Sequence, residues 1–277
     1  NARQTLSDIG LLEDSRLLVE NMLKNSYGMI LLTGPTGSGK TTTLYSALNH
    51  IHTPDKNIVT VEDPVEFRVE GLSQVAVNPK IGLTFSHVLR AVVRQDPDII
   101  MVGEIRDYDT ADISIRAALT GHLVLSSLHT NDAPSTITRL MEMGVEPYLI
   151  ASSLIGIIAQ RLVRKLCPNC RRLQKIAGNS SKGIALELDL ALEYEFYFPT
   201  GCSLCGNEGY RGRVGIFEIL PVHEDIKELI TLRAPLSEIR KLARDSGSRS
   251  LLEDGLLKAK SGLTSLDEVL RVAYQEG

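Results

Sequence analysis

Gly34-Pro35-Thr36-Gly37-Ser38-Gly39-Lys40-Thr41 fits G-x-x-x-x-G-K-[ST], the pattern of a loop that wraps phosphate. Its glycines let backbone N–H groups turn toward the anion, and Lys40 reaches the outer phosphates. The Thr41 hydroxyl, with Thr42 beside it, is placed to ligate Mg²⁺. A glycine-rich turn alone is a weak signal. Here Met29-Ile30-Leu31-Leu32-Thr33 reads as a buried strand and residues 41–50 as a helix. The loop therefore enters a helix N-terminus, whose positive end favours an anion. No N-K-x-D guanine motif is present, which favours ATP over GTP.

Phosphoryl transfer also needs acids that hold Mg²⁺ and orient water. Glu104 follows the apolar run Ile99-Ile100-Met101-Val102, where a Walker B acid would stand; the plainer reading is a solvated loop acid. Glu62, Asp63 and Glu66 follow Ile58-Val59-Thr60-Val61 in the same way, at the end of what reads as a central strand. Such carboxylates repel one another unless a metal or basic groups compensate, although an ordinary acidic turn is the alternative. His122 precedes the run 123–128 and His129 ends it. Residues at strand C-termini face the ligand crevice of an open α/β sheet, so His129 could sense a γ-phosphate. A purely structural histidine is the competing reading.

These residues need elements to hold them. Apolar runs at 29–33, 58–61, 99–102 and 123–128 read as strands, and 11–24, 85–94 and 110–119 as helices, with Gly28 a stop signal for the first. Strands alternating with helices imply a parallel sheet covered on both faces. This α/β domain is expected over 1–160. A cysteine-bearing module follows over 161–215, with a partly helical insert at 183–195, and a helical subdomain over 216–277. Ser265 or Thr264 reads as a helix N-cap, with Glu268 completing a capping box.

Cys167-Pro168-Asn169-Cys170 and Cys202-Ser203-Leu204-Cys205 are two C-x-x-C pairs, a pattern that suits one Zn²⁺ held by four thiolates. A site with no open position is structural rather than catalytic. Redox-active dithiols and unliganded reduced cysteines are the alternatives. Four cysteines in 277 residues are too few for a disulfide scaffold, which points to a reducing compartment. With 43% hydrophobic and 23% charged residues the composition is that of a globular protein. The net charge of -4 gives no overall footprint for nucleic acid. No apolar run reaches membrane-spanning length, and the expectation is a cytoplasmic protein. The chain begins at Asn1 rather than Met, from which a piece of a longer protein is expected.

Residues 34–41, Val61-Glu62-Asp63-Pro64-Val65-Glu66-Phe67, Arg94-Gln95-Asp96-Pro97-Asp98, Val102-Gly103-Glu104-Ile105-Arg106-Asp107, and Thr120-Gly121-His122 with Leu128-His129-Thr130-Asn131 together resemble the secretion ATPase superfamily. They match its Walker A, Asp-box, Walker B and His-box motifs. Among its branches the chain is most similar to type II secretion ATPases and type IV pilus assembly ATPases. The resemblance implies a RecA-like domain working in a homohexameric ring with ATP near subunit boundaries. It implies that Glu62 activates water, with Glu66 the alternative base, that Glu104 acts through Mg²⁺, and that Arg94 or Arg106 neutralises charge. Glu66 and His122 are further candidates for contact with nucleotide. A tetracysteine module is a feature of the secretion and pilus-extension branches rather than of retraction ATPases. The resemblance further implies peripheral attachment to the inner membrane through a platform and membrane-anchored proteins, and N-terminal domains outside this chain. Gly209-Tyr210-Arg211-Gly212-Arg213 resembles another family segment, and a tight basic turn is its plainer reading. A hexameric helicase and a non-catalytic nucleotide-binding scaffold are the rival functions. The acidic balance opposes the first and the presence of Lys40, Thr41, Glu62 and Glu104 the second.

Overall fold

The computed structural model describes residues 4–177 and 193–273. Its first half alternates strands β1 (Gly28–Thr33), β2 (Ile58–Glu62), β3 (Ser73–Ala76), β4 (Ile99–Val102) and β5 (Leu123–Leu128) with helices α1 (Glu13–Leu23), α2 (Lys40–Ile51), α3 (Phe85–Val92) and α4 (Tyr108–Leu119). β1, β2, β4 and β5 are buried at every position, as parallel strands covered on both faces must be. Short polar side chains start the helices: Thr84, Asp107 and Asp132 accept from His87, Thr110 and Ser135 backbone N–H groups ahead of α3, α4 and α5 (Ala133–Glu142). Gly28 opens β1 rather than merely stopping α1.

After α5 come α6 (Pro147–Ser153) and the long strand β6 (Leu154–Leu166), and much later β9 (Tyr210–Pro221). The seven-stranded sheet has the order β3-β2-β4-β5-β1-β6-β9, and β1 pairs in parallel with both β5 and β6. β2 is therefore second from the sheet edge, not central as its apolar run suggests. β3, β6 and β9 carry no periodicity clear enough to be read from sequence: β3 is short, with its two end residues exposed and its two middle ones half-buried, and polar residues interrupt the apolar stretch of β6. Gly156 lies where the β1–β6 register slips, and an added Cβ there would meet the Met22 side chain at 2.2 Å.

Among the described residues the chain forms two compact units. One holds residues up to Gln160 with Glu218–Ser248, the other Arg161–Phe217 with the residues from Arg249 onward. β6 and β9 each run from one unit into the other. In the first unit, α7 (Glu224–Thr231) lies against α6 and α8 (Leu236–Asp245) against α5. Ile226, Ile230 and Ile239 thereby join Met29, Leu31, Ile100, Val124, Ile115 and Ile137 in a single core. The second unit contains the antiparallel hairpin β7 (Arg172–Ala177) and β8 (Glu193–Phe198), with α9 (Leu251–Lys260) and α10 (Leu266–Ala273). Phe196 packs there with Ala259, Leu266 and Val269.

The region 216–277, read above as one helical subdomain, thus divides: its first two helices carry apolar faces that complete the sheet's core, and its last two cover the hairpin. Ile216 sits inside β9, so helix resumes only at Glu224. The expected insert at 183–195 lies outside the described residues up to 192, and Glu193–Glu195 belong to β8 instead of a helix.

Candidate functional site

The parallel pairings place Thr33, Glu62, Val102 and Leu128 at one edge of the sheet, so the loops that follow β1, β2, β4 and β5 share that edge. From β1 the chain crosses to one side of the sheet, and from β5 it returns to β6 on the other side of β1. This makes β1/β5 the topological switch point, where open α/β sheets bind ligands.

The phosphate loop leaves β1 there. Gly34, Gly37 and Gly39 have φ of 148°, 79° and 90°, which side-chain-bearing residues rarely adopt. A Cβ on Gly34 would lie 2.4 Å from the Gln160 carbonyl oxygen and 2.7 Å from Ser38 Oγ, so the loop is wedged against β6. Gly39 caps α2 without any side-chain hydrogen bond, leaving the helix's first N–H groups for an anion. Ser38 Oγ is buried and, among the described residues, has no hydrogen-bond partner. Lys40 Nζ donates to the Gly34 and Pro35 carbonyls at 2.7 and 3.1 Å, holding its charge over the loop. Thr43 Oγ1, one turn into α2, donates to Gln160 Oε1 at 2.7 Å and ties the helix to β6. These features fit a nucleotide phosphate with its Mg²⁺: strained glycines, an uncapped helix start and an orphaned hydroxyl. Thr41 and Thr42, half-buried in the first turn, are the hydroxyls available to the ion.

Acids gather beside this loop. Gly103 N donates to the Val61 carbonyl and Ser127 Oγ to the Gly103 carbonyl, which fixes the backbone leading to Glu104 between β2 and β5. Glu104 Oε2 lies 3.4 Å from His129 Nε2, and Arg106 bridges Glu104 Oε1 and, at 3.8 Å, Asp63 Oδ2. Arg106 is the basic group that the clustered carboxylates require. His129 is held through its neighbour: Thr130 N donates to Thr33 Oγ1 at 2.8 Å, joining the turn after β5 to the end of β1. The side chain of Glu66 stays exposed in the turn.

Glu62 differs from the other acids in being 3% exposed. Its Oε2 accepts from the Tyr45 hydroxyl at 2.6 Å, and its Oε1 accepts from Thr60 Oγ1 at 2.6 Å and Gln74 Nε2 at 3.2 Å. Gln74 Nε2 also donates to Tyr45 Oη and to the Phe67 carbonyl, while Gln74 Oε1 accepts from Val69 N. Burial, then the neighbouring Glu62, push the Tyr45 phenol well above its usual range, so it remains a donor. Sequence reading missed Tyr45, Thr60 and Gln74. The signals available were Tyr45 four residues after Thr41, on the same helix face, and Thr60 two residues before Glu62, on the same strand face.

Two expected residues are not brought here. His122 precedes β5, at the opposite edge of the sheet, where its Nδ1 lies 2.9 Å from the Ala117 carbonyl at the end of α4. Arg94 follows α3 and precedes β4, and is exposed near that same far edge. Both come before a strand, and parallel pairing sends that end away from the phosphate loop.

In the second unit the four cysteine Sγ atoms all lie within 4.8 Å of one another, and none is in a disulfide. The pairs Cys167–Cys202, Cys170–Cys205 and Cys202–Cys205 are 3.9, 3.8 and 3.7 Å apart. Four thiolates around a tetrahedral ion at roughly 2.3 Å stand about 3.8 Å apart, so the cluster has the dimensions of a zinc site. Asn169 Nδ2 donates to Cys202 Sγ and draws that thiol down to about 6, toward thiolate. Gly209 N donates to Cys205 Sγ while its carbonyl accepts from Cys167 N, so one residue braces both knuckles. Tyr210, next in the chain, opens β9, stacks under the Arg164 guanidinium at 4.1 Å and bonds Ser265 Oγ through its hydroxyl at 2.7 Å. Gly209 and Tyr210 thus form the seam between the cysteine cluster and α10, while Arg211, Gly212 and Arg213 are exposed at the start of β9. Ser265 Oγ accepts from Glu268 N as expected, but the Glu268 carboxylate turns to Arg164 and Arg271.

Comparisons with known proteins bear on both units. The model of a family described as "Type II/IV secretion system protein" matches residues 1–271. The type II secretion system protein E of Aeromonas hydrophila is 47% identical over 276 residues, covering 100% of this chain and 54% of that protein. The type IV pilus assembly ATPase TfpB of Acinetobacter baylyi is 50% identical over 249 residues, 90% of this chain and 43% of that one. The chain therefore spans about half the length of the curated relatives it matches. Among solved structures, the pilus retraction motor PilT with bound ADP superposes with a TM-score of 0.73 at 28% identity, over 99% of this chain and 68% of that one.

Proposed function

Because the chain belongs to the type II/IV secretion system protein family, we propose that it hydrolyses ATP as the motor region of a machine that assembles a secretion pseudopilus or a type IV pilus. The observation that carries this is the convergence at one sheet edge of a complete phosphate loop, Glu62, Glu104 and His129. In this reading the loop N–H groups and Lys40 hold the phosphates, with Thr41 and Glu104 holding Mg²⁺, directly or through water. When bound, the ion offsets charge that develops on the transferring phosphoryl group. Glu62 accepts the proton of the attacking water. His129, against Glu104, registers whether a γ-phosphate is present, and Arg106 neutralises the acids beside it. Arg94 and His122, on the far edge, are left for contact with another subunit.

The chain acts as a homohexamer, docked from the cytoplasmic side onto an inner-membrane platform through partner proteins. No helix among the described residues is long and apolar enough to cross a membrane. The cysteine cluster holds one structural Zn²⁺ that closes the second unit. Names of the curated relatives, together with that cluster, favour secretion and pilus assembly over retraction.

The test is Mg²⁺-dependent ATP turnover measured against protein concentration, with Lys40→Ala as the inactive control. A specific rate that climbs steeply with concentration is expected for sites completed between subunits. Turnover that is independent of concentration but stimulated by DNA would replace the assembly motor with a nucleic-acid motor.

A further inference from the structure

A carboxylate that takes a proton from water needs a fixed aim and an oxygen in reach of that water. Glu62 is placed at the end of β2 with its carboxylate buried, so neighbours rather than solvent set its direction. Three donors fill most of its acceptor capacity, two on Oε1 and one on Oε2. Oε2 is the oxygen with room for a further donor.

The donor on that oxygen stands on the helix that begins with the phosphate loop. Tyr45 follows Thr41 by four residues, so both occupy one face of α2, a single turn apart. Tyr45 Oη also lies 3.1 Å from the Phe67 carbonyl, beyond the acidic turn. Its ring stands edge-on to Phe67 with centroids 5.9 Å apart. Gln74, from β3, closes the ring of bonds by reaching Tyr45 Oη, Glu62 Oε1 and the Phe67 carbonyl together. Thus the start of α2, the end of β2 and the edge strand β3 are rigidly tied at one carboxylate.

We propose that Tyr45 is a positioning residue for hydrolysis: with Gln74 behind it, its hydroxyl holds the Glu62 carboxylate in register with the helix start that carries Thr41. This rests on Glu62 being the base. The consequence is that the nucleotide end of α2 and the water-activating acid move as one body, so a shift of α2 carries Glu62 with it. Tyr45 is not among the groups assigned above to phosphate or metal, so its loss should spare nucleotide binding and harm only the chemical step.

The experiment compares the wild-type chain with Tyr45→Phe, Gln74→Leu, Glu62→Gln and the double variant Tyr45→Phe/Glu62→Gln. Steady-state kinetics and the affinity for a fluorescent ATP analogue are measured for each. Tyr45→Phe keeps the ring, and is expected to lower kcat by about tenfold or more, as sub-ångström misplacement of a reacting group does. KM and the analogue affinity should be unchanged, and the double variant should be no slower than Glu62→Gln alone, since one residue acts through the other. Gln74→Leu, which keeps the tyrosine but removes the amide that bonds both Tyr45 Oη and Glu62 Oε1, should shift kcat in the same direction. If Glu62→Gln abolishes turnover while Tyr45→Phe and Gln74→Leu keep wild-type kcat, the positioning role is wrong. An equal loss in kcat and nucleotide affinity would also overturn it, as general damage to α2. If Glu62→Gln itself turns over normally, the base lies elsewhere and the reading beneath this inference fails first.

Discussion

Glu268 offers a measurement in which the size of the effect follows from the structure. Its carboxylate, 1% exposed at residue level, accepts from the backbone N–H and the guanidinium of Arg164 at 2.9 Å and from the Arg271 guanidinium at 3.0 Å. Burial alone would raise its pKa. The bonds from Arg271 and Arg164 outweigh that and bring it from 4.5 down to about 2. A carboxyl whose folded pKa lies below its unfolded value stabilises the fold above the unfolded value, and that contribution vanishes as pH falls through the folded one. At about 1.4 kcal/mol per unit the full contribution is about 3 kcal/mol, of which about 2 kcal/mol is lost between pH 6 and pH 3. The perturbation is Glu268→Gln, which removes the titration while keeping the side chain's shape. Urea unfolding of wild type and variant at pH 6, 5, 4 and 3 gives the stability difference at each pH, and effects common to both proteins cancel. The wild type should lead at pH 6, and its lead should shrink by about 2 kcal/mol by pH 3. Protection of the Arg164 amide, which donates to the same carboxylate, should fall in parallel once its exchange is corrected for the intrinsic slowing of amide exchange at low pH. A difference that stays constant across this range would refute the reasoning, because the folded-state pKa of Glu268 would then not lie below the unfolded one.

Two further outcomes follow from the sites. Metal analysis of the purified chain should give about one zinc per chain, and Cys202→Ser or a strong chelator should unfold the second unit. A metal-free protein whose second unit stays folded would exclude the site. Gly34→Ala places a Cβ 2.4 Å from the Gln160 carbonyl oxygen at a φ of 148°, where neither backbone can yield cheaply. It should abolish binding of a fluorescent nucleotide while leaving the unfolding of the second unit in place, and retained binding would show that the loop can move off β6.

The functional elements legible in the sequence are those whose chemistry is contiguous. Residues 34–41 announce themselves because eight successive backbone positions must wrap one anion, and the strand and helix on either side are local patterns. Each cysteine pair is likewise local, and pairing the two knuckles needs only that four thiolates share an ion. Glu104 and His129 are found because each follows a buried run, and parallel pairing puts strand ends on one edge. The same rule, applied to what precedes a strand, removes His122 and Arg94 from that edge, since β4 and β5 carry them to the far side of the sheet. Tertiary structure alone decided the surroundings of Glu62: Tyr45, Thr60, Phe67 and Gln74 come from a helix, two strands and a loop. Local spacing puts Tyr45 on the face of Thr41 and Thr60 on the face of Glu62, but nothing in it shows that the four meet at one carboxylate, because a hydrogen-bonded cage depends on distances through space that side-chain periodicity does not encode. The split of 216–277 has the same origin. Helices α7 to α10 all show one apolar face in sequence, but only packing determines whether that face meets the sheet or the hairpin.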